Sequence, residues 1–203
     1  MFRNVSEIDA ALRQLGKRLL YADSPRLMIV VCGGSGLHVL GLCSRTTRDI
    51  DVCVAMLSRE SFSWADRTTS LPSVVTQAVE AVSRDIGLPP DWLNTAASEV
   101  LEIYGPPNGL IERLEIRDYG PLLRAGFLSK IDQIHFKLLA ASDPKSPERH
   151  IEDLQTRLRP SAEEATLAMR WLMARPTSRW FRANVRKVLE KLGHADVAQH
   201  IQG

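Results

Sequence analysis

Residues 27–54 read LMIVVCGGSGLHVLGLCSRTTRDIDVCV, and the architecture of the chain follows from how this segment must fold. Leu27–Val31 is an apolar, β-branched run, the pattern of a buried strand. It stops at Gly33-Gly34-Ser35, where a tight turn feeds a short helical segment through Leu42. Arg45-Thr46-Thr47-Arg48 then leads into Asp49-Ile50-Asp51-Val52, a second strand. Side chains two apart on a strand share a face. Asp49 and Asp51 are therefore expected on one side, with Ile50, Val52 and Val54 on the other, toward the core.

Two adjacent carboxylates repel unless a cation lies between them. A hard divalent ion such as Mg²⁺ suits them, because it binds through one or two carboxylates plus substrate phosphates. The Gly33-Gly34-Ser35 turn offers backbone N–H groups to an anion. A phosphate grip beside a metal-binding carboxylate pair implies phosphoryl or nucleotidyl transfer. The plainer alternative is an exposed strand face or a turn, where Asp is common, although Asp is depleted in strand interiors. Ser35 either donates its hydroxyl to a phosphate or caps the helix. Arg45 and Arg48 either contact a triphosphate or neutralise the carboxylates.

The order Gly-Gly-Ser, short helix, Thr-Arg-Asp-Ile-Asp-Val resembles the signature of the DNA polymerase β nucleotidyltransferase superfamily. Within it, the chain is most similar to small bacterial nucleotidyltransferases related to AbiEii-type toxins. Three further segments carry the likeness: Gly87-Leu88-Pro89-Pro90-Asp91-Trp92-Leu93-Asn94, the helix segment Lys137-Leu138-Leu139-Ala140, and Arg149-His150-Ile151-Glu152-Asp153-Leu154. The resemblance covers about Leu27 to Leu158. It implies an NTP substrate, ATP among the choices, with Mg²⁺ or Mn²⁺ at Asp49 and Asp51 and phosphates at Gly33, Gly34, Ser35 and Arg48. It implies a third carboxylate on a neighbouring strand, for which Glu115 is the candidate; the competing assignment pairs Glu115 with Arg113 or Arg117. It also implies that Lys137 reaches the nucleotide phosphates and that Asp153 supports the active site. The structural alternatives are a snorkelling lysine and an Asp153 paired with Arg149 or Arg157.

Composition sets the outer limits. The 203 residues suit one domain or a domain with an appendage. Hydrophobic residues make up 44% and charged residues 25%, as in ordinary globular proteins. The net charge of +2 does not by itself announce a nucleic-acid binder. No apolar run reaches the ~18 residues of a membrane span. Glu7 and Asp9 interrupt the first segment, which gives a helix pattern rather than a signal peptide. Cys32, Cys43 and Cys53 lack zinc spacing, and their odd number argues against a disulfide scaffold. They are expected to be reduced, small core residues in a cytoplasmic protein.

Along the chain, Ile8, Leu12, Leu15 and Leu19 predict an amphipathic helix starting near Asn4 or Ser6. Leu57 to Ser70 has no clean period and reads as loop. Val75, Val79, Val82 and Ile86 form a helical stripe closed by Gly87. Asp91 is a candidate cap for a short helix carrying Trp92 and Leu93. Val100–Tyr104 suggests a strand. Arg113–Arg117 alternates, with Leu114 and Ile116 expected inward and Glu115 outward. Leu122–Ala125 suggests another short strand. Ser129–Asp132 has the form of a capping box opening a helix through Ala141, with His150–Leu158, the segment after Pro160, Ser178–Leu192 and a short tail also helical. Arg170, Arg175, Arg179, Arg182, Arg186, Lys187 and Lys191, with Trp171 and Trp180, form either a solvated face over core tryptophans or an RNA-facing surface.

These expectations define an α/β (α+β) fold, a small mixed sheet flanked by helices with a helical C-terminal part. The expected division is a nucleotidyltransferase-like core at 1–125 and a helical region at 126–203 packed on it. The expected activity is Mg²⁺-dependent transfer of an NMP from an NTP to a hydroxyl of RNA (tRNA) or protein. The competing expectation, from another class, is an inactive nucleotide-binding or regulatory module. Either is compatible with a cognate partner in a toxin–antitoxin pair, and neither involves a membrane.

Overall fold

The computed structural model describes residues 1–43, 45–58, 67–68, 70–145 and 147–201. It is a mixed α/β fold whose chain divides into two compact units. The first comprises Met1–Ile103 and Ile111–Leu128, the second Tyr104–Leu110 and Ser129–Gly203. The last strand of the sheet runs on to Phe127, and Tyr104–Leu110 belongs to the second unit.

The first unit is built on a sheet. Its strands are β1 (Arg26–Cys32), β2 (Ile50–Ser58), β3 (Arg67–Thr68), β4 (Leu93–Asn94), β5 (Glu115–Asp118) and β6 (Leu123–Phe127). The order is β3-β2-β1-β6-β5. β1 lies antiparallel to β2 and parallel to β6. The outer edge of β2 is shared: Ala55 and Met56 pair with β3, while Ile50 and Asp51 pair with β4 in parallel. β1 is central and is buried from Leu27 to Cys32, as its continuous apolar run requires.

Helix α1 (Val5–Tyr21) is capped by Asn4, whose side chain accepts from the Glu7 N–H. Helix α3 (Ser73–Ile86) ends on Gly87 at φ +67. The apolar stripes of α1 and α3 share one core with Leu27, Ile29 and Val31 of β1, Ile50 and Val52 of β2, and Ala125 and Phe127 of β6. At Gly16 the approach is so close that an added Cβ would lie 1.9 Å from the Tyr119 carbonyl oxygen. Trp92 fills the same core, fully buried, with its indole N–H donating to Val79 O at 3.0 Å.

A bulge at Cys53 breaks the simple alternation of β2. Val52 pairs with Val31 but Val54 pairs with Val30. Ile50 and Val52 therefore face the α1/α3 core, as expected, and Val54 faces the other way. Asp51, paired with Cys32, is also on the side away from α1 and α3.

Three local expectations are corrected. Residues 98–104 form a helix, α4 (Ser98–Tyr104), and not a strand; Ser98 N–H turns back onto Thr95 O at 2.9 Å to open it. Leu93 and Asn94 form β4 and not a short helix, because Ile50 N–H donates to Trp92 O at 2.6 Å and draws the segment into the sheet. In the region expected as loop, β2 continues to Ser58 and β3 follows at Arg67; residues 59–66 and 69 lie outside the described residues.

The second unit is helical among its described residues. It contains α5 (Lys130–Ala141), α6 (Pro147–Glu152) running into a π-helical segment (Asp153–Leu158), α7 (Ala162–Met173), α8 (Arg179–Lys191) and α9 (Ala195–Ala198). Ser129 caps α5, Ser161 and Glu164 form a capping box on α7, and Ser178 caps α8. Its aromatic core stacks Phe136 on Trp171, with ring centroids 5.9 Å apart, and brings Tyr104 to 5.4 Å from the same tryptophan.

Candidate functional site

The Gly-Gly-Ser turn and the aspartates meet at one end of β1 and β2. Helix α2 (Gly33–Val39) follows β1 directly, and Gly33 takes φ +68, a conformation that disfavours any residue with a Cβ. A Cβ there would lie 2.5 Å from Asp51 Oδ2. The Asp51 carboxylate thus rests directly on the glycine turn. Ser35 is fully buried, and its hydroxyl donates to the Asp49 carbonyl oxygen at 2.5 Å. That bond ties the turn to the backbone leading into β2. Thr47 Oγ donates to the same carbonyl at 3.4 Å, and the Phe2–Thr47 bridge pins the approach segment. His38, buried on α2, bonds through Nε2 to Arg45 O at 2.6 Å.

Asp49 and Asp51 are both half-buried and flank Ile50, whose side chain is in the core. Asn94, opposite Asp51 in the β2–β4 pairing, donates from Nδ2 to Asp51 Oδ1 at 3.4 Å. Asn94 ends the Gly87–Asn94 segment, and only the pairing of residues 93–94 with β2 sets it beside Asp51, which the local sequence does not announce. Arg48 Nη2 reaches both oxygens of Asp91, at 3.1 and 3.0 Å, in an exposed pair. Such an exposed pair contributes at most about 1 kcal/mol.

The donor set at this end of the sheet is the two carboxylates, hard oxygen ligands, because the Asn94 carboxamide turns its Nδ2 toward Asp51 and its oxygen accepts from Ala96 N–H at 3.0 Å. It fits a small divalent ion completed by substrate phosphates and water. Among the described residues no cluster of three or more His, Cys, Asp or Glu side chains forms a protein-only metal cage. Cys32, Cys43 and Cys53 form no disulfide among the described residues. Cys32 Sγ lies 3.5 Å from Asp51 O and Cys53 Sγ 3.4 Å from Val30 O, as packed core residues.

Glu115 does not join the aspartates. It pairs with Phe127 of β6, which pairs with Val31 of β1 on the α1 side of the sheet, whereas Asp51 lies on the opposite side and three strands away. Its carboxylate accepts from Arg117 Nη2 at 2.6 Å. Arg117 also lies over the Phe127 ring and reaches Asp9 on α1 at 3.4 Å. Desolvation works against the Arg117 charge, but Glu115, Tyr119 and Asp9 together outweigh it, and the guanidinium is held above its ordinary range. The inward–outward assignment of this strand is corrected accordingly: Glu115 and Arg117 are on the α1 side, and Ile116 is 44% exposed on the other.

Lys137 and Asp153 lie in the second unit and bond each other. Lys137 Nζ is 2.8 Å from Asp153 Oδ2, and Arg157 Nη1 is 2.7 Å from Asp153 Oδ1. Asp153 is fully buried and Lys137 is 6% exposed. The triad satisfies one buried carboxylate with two cations and joins α5 to the π-helical segment. That geometry supplies a structural reason for both residues.

No family model, no curated protein and no solved structure matches the chain. Among the described residues no helix is long and apolar enough to cross a membrane.

Proposed function

We propose that the chain is a Mg²⁺-dependent nucleotidyltransferase that moves an NMP from an NTP to a hydroxyl of RNA or protein, with release of pyrophosphate. The observation that carries this reading is the Asp51 carboxylate seated on the Gly33 turn, with Asp49 two residues away. Asp49 and Asp51 would hold the metal, with Asn94 orienting the Asp51 carboxylate. The bound ion would supply neutralisation of charge on the phosphate oxygens. Gly33, by lacking a side chain, lets the Asp51 carboxylate rest against the backbone of the turn. Arg48 exchanges Asp91 for a phosphate oxygen as the triphosphate arrives.

A second reading has its own observation. Glu115 faces away from Asp51, so the third carboxylate that such an enzyme would use is not supplied by that residue. This favours a module that binds nucleotide without transferring it, acting with a partner protein.

The deciding experiment incubates the full chain with each α-³²P-labelled NTP, Mg²⁺ or Mn²⁺, and total bacterial RNA and protein, beside an Asp49→Ala/Asp51→Ala control. Label that appears in RNA or protein and vanishes in the control supports the enzyme and names its acceptor. Nucleotide bound in a metal-dependent way without transfer supports the module. Unchanged metal and nucleotide binding in the double variant rejects both.

A further inference from the structure

The second unit contains a cavity of about 530 Å³ between the end of α7, the turn into α8 and the tail helix. Its polar wall is Arg170, Arg175, Arg182 and His200, and no Asp or Glu lines it. Its apolar wall includes Met169 and Met173. This volume is within the range of small-molecule sites, which combine apolar walls with a few convergent polar groups. The local charge is unlike that of the whole chain. From Arg170 to Lys191 there are seven Lys and Arg against the single acidic residue Glu190, whereas the full chain has a net charge of +2.

The arginines are incompletely used by the fold. Arg182 donates from Nη1 to Thr177 O at 2.8 Å, but its Nε is buried without a hydrogen-bond partner among the described residues. Arg186 behind it donates to Ile201 O at 2.5 Å and likewise has a buried, partnerless Nε. Neither Arg170 nor Arg175 forms an ion pair among the described residues. Guanidinium groups gathered at one cavity with no carboxylate among its lining residues favour an anionic occupant. Arginine forks match phosphate oxygens in particular.

We infer that this cavity is a binding site for a phosphomonoester whose apolar or aromatic body lies against the methionine wall and whose phosphate meets the arginines. Two sources share that chemistry: a free nucleoside monophosphate and the phosphorylated end of an RNA strand. The inference does not rest on the nucleotidyl-transfer reading, because it uses none of the residues around Asp51.

The test uses the full chain carrying Asp49→Ala/Asp51→Ala, in EDTA, so that the metal-dependent site is silent. Calorimetric titration with AMP, adenosine, inorganic phosphate and a short 5′-phosphorylated RNA follows. The expected result is one AMP per chain, with adenosine and phosphate each at least ~10-fold weaker, since each lacks one half of the recognition. Arg170→Ala and Arg175→Ala are each expected to weaken AMP by ~10-fold while leaving the thermal midpoint unchanged. Arg182→Lys, which keeps the charge but loses the fork, is expected to weaken AMP as well. Tighter binding of the phosphorylated RNA than of AMP, lost on dephosphorylation, assigns the site to a strand end; the reverse assigns it to a free nucleotide. The inference is overturned by no binding in the absence of metal, by adenosine binding as tightly as AMP, or by arginine variants that bind AMP like the parent.

Discussion

The Asp51 carboxylate lies against Gly33 so closely that no other residue fits at that position without moving it: a Cβ would fall 2.5 Å from Oδ2, and the backbone is at φ +68. Strand β1 and strand β2 thus deliver a bare stretch of backbone and a negative charge to the same point. Gly33→Ala is expected to cost about 1–2 kcal/mol from the left-handed conformation alone. It is also expected to displace Asp51. The measurement is a thermal midpoint, falling by a few degrees, together with a Mg²⁺-nucleotide titration in which affinity falls at least ~10-fold. Retained affinity would remove the turn from the site.

Asn94 orients the carboxylate from the other side. Its amide donates to Asp51 Oδ1 at 3.4 Å from a strand that pairs with β2 only at Ile50 and Asp51. Partners that hold a metal ligand in place commonly carry ~10–100-fold in metal affinity. Asn94→Ala is therefore expected to weaken Mg²⁺ or Mn²⁺ binding by about that range with little change in stability. Titration of Mn²⁺ followed by electron paramagnetic resonance reads this directly. An unaltered binding isotherm would reduce Asn94 to an edge-strand residue.

Much of the first unit was legible in the sequence because its signals were local. The apolar run of β1, the stripe of α1, the Gly87 stop and the Gly33–Ser35 turn each follow from residue types a few positions apart. What was hidden depends on pairing. The bulge at Cys53 sends Val54 to the face opposite Val52, and nothing in the residues 50–54 announces an extra residue in the ladder. In β5 the alternation of Glu115 and Ile116 was visible, but not which set would face α1. That was decided by Asp9, on a helix more than a hundred positions earlier, which accepts from both Arg117 and Tyr119. Residues 93–94 become a strand only because Ile50 lies beside them. Lys137 and Asp153 were singled out by resemblance; the bond between them was not visible from either helix alone.

The Lys137–Asp153–Arg157 triad makes a prediction about stability that is separate from activity. Asp153 is fully buried and balances two cations. Removing one member leaves an uncompensated buried charge, which costs about 3–5 kcal/mol, while replacing the set with apolar residues of similar volume is often neutral. Asp153→Asn is therefore expected to lower the urea midpoint strongly. The Lys137→Met/Asp153→Leu pair is expected to recover part of that loss, although Arg157 is then left without its partner. A double variant whose loss is simply the sum of the losses from the two single substitutions would show that the two side chains do not act as a pair.

Tyr119 makes the stability of the first unit depend on pH in the alkaline range. It is 5% exposed, and its hydroxyl donates to Asp9 Oδ1 at 2.6 Å. Burial, with Asp9 adding, holds its proton well above the ordinary tyrosine value of 10.0. The folded chain therefore keeps this proton at pH values where the unfolded chain releases it. The contribution is complete below pH 10.0 and is lost as pH rises from there toward the folded-state value. Tyr119→Phe removes this term and also the bond to Asp9. At neutral pH the variant is expected to be less stable by roughly 1–2 kcal/mol, the low end for a hydrogen bond to a charged, partly exposed acceptor. Above pH 10.0 the gap to the parent should narrow, because the parent alone loses the Tyr119 contribution. Urea unfolding at neutral and strongly alkaline pH measures both values. A gap that stays constant across the alkaline range would mean that the folded chain does not hold the Tyr119 proton more tightly than the unfolded one.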